Sequence, residues 1–157
     1  MLMGNRIYTL SVPGEPVPKG RPRVYNGHGI TPKRTMEAEN NIRRRWISQY
    51  SNMQPLTGDI HISIDFYMPD RHVKDWDNLA KLVTDALNGI AYADDRQIVT
   101  AIVTKWLPSL FVPGRNNRPR RRKTGDPLTT CEGDPYDPHT LIRLYQIRDR
   151  DEEHPIF

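Results

Sequence analysis

The chain has 157 residues, 23 Lys and Arg against 19 Asp and Glu, a net charge of +4 and a pI near 9.3. An apolar fraction of 36% and a mean hydropathy of −0.72 suit one compact domain with a modest core, and 14 prolines imply long exposed segments. No run approaches the ~18 apolar residues of a membrane helix, and the lone Cys131 excludes an internal disulfide.

A single thiol fits a reducing cytoplasm. The opening Met1-Leu2-Met3-Gly4-Asn5-Arg6 lacks the basic region and apolar run of a signal peptide. A cytoplasmic, nucleoid-associated protein is therefore expected, with host and phage or prophage origins both open. The basic excess is clustered at Lys19-Gly20-Arg21-Pro22-Arg23, Lys33-Arg34, Arg43-Arg44-Arg45 and residues 115–123. Four such clusters make nucleic acid the leading partner.

In chain order, residues 6–12 alternate Tyr8, Leu10 and Val12 as a first strand, and residues 13–31 read as a Gly/Pro-rich loop. Residues 32–50 read as a helix with Met36, Ile42, Trp46, Ile47 and Tyr50 on one stripe. Residues 59–68 are the clearest strand, with Ile60, Ile62, Ile64, Phe66 and Met68 alternating with more polar positions. From Asp77 the apolar series Leu79, Leu82, Val83, Ala86, Leu87 and Ile90 predicts a helix with one buried face. Asp77 is its expected N-cap, and the stop falls near Asn88-Gly89.

Residues 97–107, β-branched on both faces, read as a central strand, and residues 140–147 as the last strand. Between them, residues 108–139 read as a long, partly disordered insertion rich in Pro, Gly, Arg and Asp. The order β-α-β-α-β-β predicts an α+β, two-layer fold, a mixed sheet with helices on one face.

Acid is concentrated where a basic chain would not need it. Asp75-Trp76-Asp77 lies where a buried strand hands over to a helix, Lys81 follows one turn later, and Asp94-Asp95 follows the helix. Residues two apart in extended chain point the same way, about 6.5–7 Å apart. Two carboxylates so placed can share a hard cation, which points to a Mg²⁺-dependent nuclease. Thirteen aspartates make one Asp-x-Asp pair expected by chance, and Asp149-Arg150-Asp151, in a charged tail with Glu152 and Glu153, is another. Lys81 and Asp85 also fit an ordinary i,i+4 pair. The intervening helix spans ~16 Å, so a third ligand from Asp94 or Asp95 is feasible but tight within one chain, and one from a partner subunit stays open.

The stretch from Met68-Pro69-Asp70-Arg71-His72-Val73-Lys74 through Asp75-Trp76-Asp77-Asn78-Leu79-Ala80-Lys81, then Asp85-Ala86-Leu87-Asn88 and Asp94-Asp95-Arg96-Gln97-Ile98, resembles the RusA family of Holliday junction resolvases. Pro16-Val17-Pro18-Lys19-Gly20-Arg21-Pro22-Arg23, Tyr25 and Thr31-Pro32 resemble that family's leading segment. The likeness runs over residues 6–107 and the last strand, and the insertion at 108–139 has no matching motif. It implies a homodimeric, magnesium-dependent endonuclease, with Mn²⁺ a substitute, that cuts four-way DNA symmetrically. Carried over by position, the metal aspartates fall on Asp75, Asp77 and Asp95, with Asp94 supporting, and the catalytic lysine on Lys81.

Lys19, Arg21, Arg23, Lys33, Arg34, Arg71 and Lys74 are the expected DNA contacts, gripping phosphates without reading bases. Among the histidines only His72 is placed to touch substrate, and Trp76 is expected to anchor the core. Neither a membrane nor an organic cofactor is expected, since no phosphate loop or dinucleotide fingerprint is present. The alternative is a branched-DNA-binding protein of the same fold that does not cut.

Overall fold

A computed structural model of the chain describes residues 6–148; the acidic tail with Asp149, Asp151, Glu152 and Glu153 lies outside the described residues. Four strands form one mixed sheet in the order β1-β8-β4-β5. They are β1 (Tyr8–Pro13), β4 (Ile60–Tyr67), β5 (Ile98–Trp106) and β8 (His139–Gln146). Two short hairpins, β2 (Arg23–Tyr25) with β3 (His28–Ile30) and β6 (Phe111–Pro113) with β7 (Pro119–Arg121), stand apart from it. The helices are α1 (Lys33–Gln49) and α2 (Trp76–Leu87). No helix among the described residues is long and apolar enough to cross a membrane.

The period of two in β4 decides the layering. Ile60, Ile62, Ile64 and Phe66 are at most 1% exposed and face the core with Leu10 and Val12 of β1 and Ile142 and Leu144 of β8. Ile42 and Trp46 of α1 and Leu79, Leu82, Val83, Ala86 and Leu87 of α2 close that core. The opposite sheet face carries polar and aromatic groups instead. His61 stacks on Tyr145 at 4.8 Å, and Tyr67 lies between Trp106 at 5.7 Å and His139 at 4.2 Å.

β8 pairs antiparallel with both β1 and β4, whereas β4 and β5 run parallel. A parallel pair requires a crossover, and α2 provides it. The expected α+β architecture with a mixed sheet is what forms.

Several local expectations are corrected. β5 is an edge strand, not a central one, and Val99 and Ile102 are more than half exposed. Its β-branched composition therefore reports an uncovered apolar edge. Met36 and Ile47 point outward on α1, because the buried stripe runs through Thr35, Ile42 and Trp46. The Gly/Pro-rich segment contains the β2–β3 hairpin, turned at Asn26-Gly27 with φ of 49° and 78°. An Asn-Gly pair between apolar residues is the standard sequence signal for such a turn, and here it lies between Tyr25 and His28.

The insertion is built, not irregular. Val112, Pro108 and Thr130 are buried, and Asn116 and Asn117 turn the β6–β7 hairpin at positive φ. Asp126 receives a two-pronged Arg120 guanidinium, both bonds at 2.8 Å. Those bonds, and then the Lys123 backbone N–H, hold the Asp126 carboxyl well below the usual carboxylate range. Tyr136 donates its hydroxyl to the Met68 carbonyl at 2.7 Å and packs on Tyr67, tying the insertion to the end of β4.

Gly20 joins the leading loop to α1. Its N–H donates to Thr35 Oγ1 at 3.0 Å, and an added Cβ would stand 2.7 Å from that oxygen and 2.8 Å from Pro32 Cγ. Gly20→Ala is expected to lower stability by about 1–3 kcal/mol through overpacking, read from the denaturant midpoint.

Candidate active site

The acidic stretch begins where β4 ends. Met68 N–H donates to the Trp106 carbonyl at 2.9 Å, so the linker leaves the sheet beside the end of β5. Lys105 Nζ donates to the Lys74 carbonyl at 2.7 Å and fixes the last linker residue before Asp75. The helix then starts at Trp76 with Asp75 in the N-cap position and Asp77 in its first turn, which moves the expected cap by two residues. Asp75 makes no cap bond to the backbone. Instead Asn78 bridges the pair: its Nδ2 approaches Asp75 Oδ2 at 3.4 Å, and its N–H donates to Asp77 Oδ1 at 2.9 Å.

Asp75 and Asp77 are exposed and have no ion-pair partner among the described residues, and neither does Asp95. Two neighbouring acids differ. Asp85 is paired with Lys19 at 3.1 Å and Lys81 at 3.2 Å, and Asp94 with Arg96 at 3.3 Å. Of the five aspartates at 75, 77, 85, 94 and 95, the three without an ion pair are those assigned to metal by resemblance.

Those three do not meet in one chain. Among the described residues no three acidic, histidine or cysteine side chains stand close enough to hold one metal ion. Asp75 and Asp77 sit at the start of α2. The segment carrying Asp95 packs at the other end, where the buried Tyr92 donates its hydroxyl to the Thr84 carbonyl at 2.6 Å. Burial, then the nearby charges of Asp95 and Asp85, push the Tyr92 hydroxyl pKa up. Twelve residues of helix separate the two ends, ~18 Å at 1.5 Å per residue. The extended return within one chain, tight by length alone, is not made. Asp75 and Asp77 are the hard oxygen donors a divalent cation takes, but the set of three does not fit as an intrachain site.

Asp94 has a structural task. It caps the short 3₁₀ turn Asp95–Gln97, accepting from Arg96 N at 2.9 Å while Gln97 Oε1 accepts from Asp94 N at 2.9 Å. The Arg96 backbone N–H, then its side chain, hold the Asp94 carboxyl below its ordinary value. Gln97 also donates to the Leu56 and Gly58 carbonyls. The Asp-Asp-x-Gln motif is thus a reciprocal cap that presents Asp95.

Lys81 lies on the same line of α2 as Asp77 and Asp85, four residues from each, and is exposed. Lys19, an expected DNA contact, clamps two helices in this structure. Its N–H donates to the Asn78 carbonyl at 2.9 Å, and its ammonium lies between Glu39 of α1 and Asp85 of α2 with the side chain 25% exposed. Burial works against its charge, but the hydrogen bonds to Glu39 and Asp85 outweigh it and raise the Lys19 pKa.

Lys74 is similarly held by Glu15 at 2.6 Å, and Arg34 approaches the same carboxylate at 3.7 Å. Lys33 pairs loosely with Glu37 at 3.7 Å, and Arg71 Nε donates to the Pro108 carbonyl at 2.8 Å. Arg21 and Arg23 are exposed on the β2–β3 side and have no ion pair among the described residues. His72 is exposed and pairs with Asp70 at 3.1 Å. Trp76 is 59% exposed beside Val73 at 91%, so it does not anchor the core. Its position between two solvent-facing carboxylates at the helix start keeps it out.

The model of the family described as Endodeoxyribonuclease RusA matches residues 13–129. The chain belongs to the RusA endodeoxyribonuclease family. The match takes in the leading loop, both acidic stretches and most of the insertion, further along the chain than the motifs alone reach. No curated protein matches this chain.

Membership fits the division of labour among the motif residues. In this RusA-family chain Lys19, Asp85, Asp94 and Gln97 build the fold around the site, and Asp75, Asp77 and Asp95 have no ion pair among the described residues. Lys19→Met is expected to cost about 1.5–3 kcal/mol, the range for hydrogen bonds to charged groups. A raised lysine pKa adds stability that is full below the ordinary value of 10.5 and is lost as pH rises through the folded value. As pH rises past 10.5, stability should therefore fall more steeply in the wild type than in Lys19→Met.

Proposed function

We propose that this chain acts as a homodimeric, divalent-metal-dependent endonuclease that resolves Holliday junctions by paired phosphodiester hydrolysis. The observation that carries the reading is the separation of three unpaired carboxylates to the two ends of α2, in a chain whose family cuts DNA. A site that is split in one chain is completed when a second copy supplies the missing part. The exposed edge of β5 supports this, because an uncovered apolar edge strand is a template for pairing with another chain.

Antiparallel pairing of two β5 edges about a two-fold axis would carry the partner subunit's Asp95 toward the Lys105 end of this chain's β5. Lys105 is bonded to Lys74, next to Asp75. Two sites related by that axis match the two cuts a four-way junction needs.

In this reading Asp75 and Asp77 hold the cation, Mg²⁺ or Mn²⁺, together with the partner subunit's Asp95. When bound, the cation supplies charge neutralisation at the scissile phosphate and a more acidic water. Asn78 keeps the two carboxylates oriented. Lys81, one turn along the same helix line, offers its ammonium to charge developing on the phosphate, with Asp85 restraining its reach. Arg21 and Arg23 of the leading loop and hairpin are the free cations suited to backbone contacts.

Asp75→Asn and Asp95→Asn should each abolish cleavage of four-way DNA while binding stays near wild type, since an amide keeps the shape and loses the charge. Mixing the two inactive proteins is the decisive assay. A site shared between subunits regains single-strand nicking, because each mixed dimer has one site with all its carboxylates. Continued silence with proven subunit exchange would place the site within one chain and defeat the dimeric part. Equal binding without cleavage by the wild type, with and without EDTA, would favour the non-cutting alternative.

Lys81→Ala should lower the single-turnover rate by about 10²–10³, as removal of one preorganised charge-stabilising group does. A rate within twofold of wild type would leave Lys81 as only the partner of Asp85.

A further inference from the structure

A second cationic site lies where the insertion meets the linker that leads to Asp75. A cleft of about 190 Å³ there is lined by Arg71 and Asp70 of the linker and by Ser109, Arg121 and Arg122 of the insertion. Arg71 binds the Pro108 carbonyl through Nε alone. Arg121 is exposed, and neither has an ion pair among the described residues. Arg122 is the unusual member. One terminal nitrogen donates to the Asp126 carbonyl at 3.1 Å, yet its Nε is buried with no acceptor. A buried donor left unpaired costs free energy, and with Nε occluded an acceptor in the cleft would meet the other guanidinium nitrogens.

The charges decide what that acceptor is. Three guanidinium groups face one carboxylate, Asp70, which is already engaged by the His72 N–H at 2.9 Å and the His72 ring at 3.1 Å. Guanidinium forks match the oxygens of phosphate and carboxylate alike, and for a chain of a family that cuts DNA the phosphodiester is the anion at hand. Arg71 is four residues from Asp75, so their Cα atoms stand at most ~14 Å apart along an extended chain. That is no more than about four nucleotides at ~3.4 Å of rise.

We propose that this cleft is a phosphodiester-binding subsite that holds the DNA backbone a few nucleotides from the cut, with Arg71, Arg121 and Arg122 as its donors. The inference rests on the endonuclease reading for its ligand but not for its geometry. It gives the insertion a role: a second grip on the strand being cut, built from residues on both sides of the cleft.

The test follows the Arg122 Nε–H resonance in ¹⁵N-labelled full-length protein. Inorganic phosphate and an intact four-way DNA are titrated separately, each against sodium chloride at matched ionic strength. Both ligands are expected to shift that resonance, and chloride is not. Arg121→Gln, an exposed substitution, should weaken junction binding roughly tenfold, about 1.4 kcal/mol. It should also flatten the slope of log K against log salt by ~0.9. An Arg122 resonance that stays still while other signals report bound DNA would overturn the subsite and leave the endonuclease reading intact. A shift with phosphate in a protein that binds no DNA would overturn the assignment to the DNA backbone and the endonuclease reading together, leaving a free-phosphate site. A chloride shift equal to that of phosphate would also overturn it.

Discussion

The parallel pairing of β4 with β5 governs the geometry of the site. A chain that finishes one strand and must begin its neighbour in the same direction has to travel back along the sheet, and α2 makes that journey. Residues at the two ends of the crossover are thereby held a helix length apart, whatever their chemistry. Asp75 and Asp77 belong to the outgoing end and Asp95 to the returning one. The helix cannot shorten without losing the buried face of Leu79, Leu82, Val83, Ala86 and Leu87 that seals the core. The split set of carboxylates follows from that topological choice, β5 is left at the sheet edge, and the proposed two-fold assembly would answer both.

Charge in this molecule is sorted more finely than the net +4 suggests. Lys19 and Lys74 are held by Glu39, Asp85 and Glu15, joining the leading loop, α1, α2 and the linker. Arg120 is matched by Asp126 within the insertion. Cations without an ion pair among the described residues include Arg21 and Arg23 near the β2–β3 hairpin, Arg43 to Arg45 of α1, and Arg71 and Arg121 at the insertion cleft. Pairing thus distinguishes structural from available charge, a distinction that counting basic residues does not make. The same holds for acids, where Asp85 and Asp94 are in ion pairs and Asp75, Asp77 and Asp95 are in none among the described residues.

The insertion shows how small pieces of structure stabilise one another. Its one hairpin, β6 with β7, is too short to stand alone. Val112 is buried, the Asp126 carboxylate gathers Arg120 and the Lys123 N–H, and Tyr136 docks on β4. These contacts cover part of the sheet face that the helices leave open, where Tyr67, Trp106 and His139 stack.

What was legible in the sequence was periodic or local. The alternation in β4 and the 3.6-residue spacing of α2 reported their buried faces, because a side chain's direction repeats with the backbone. The family fingerprint was legible too, since its residues stand at fixed spacings along the chain. Composition was a poorer guide: β5 looked central because it is apolar on both faces, yet it is an exposed edge with the same composition. Trp76 read as core by type, although its place at the helix start exposes it. Lys19, Asp94 and Gln97 belong to the motif, but their structural tasks depend on Glu39, Asp85, Leu56 and Gly58, which lie far away in the chain or are unmarked by pattern. The sequence determined the elements and the reactive residue types. Only the tertiary structure decided which charges neutralise one another and that one chain cannot gather its three aspartates, because both depend on distances set by packing and by the parallel crossover.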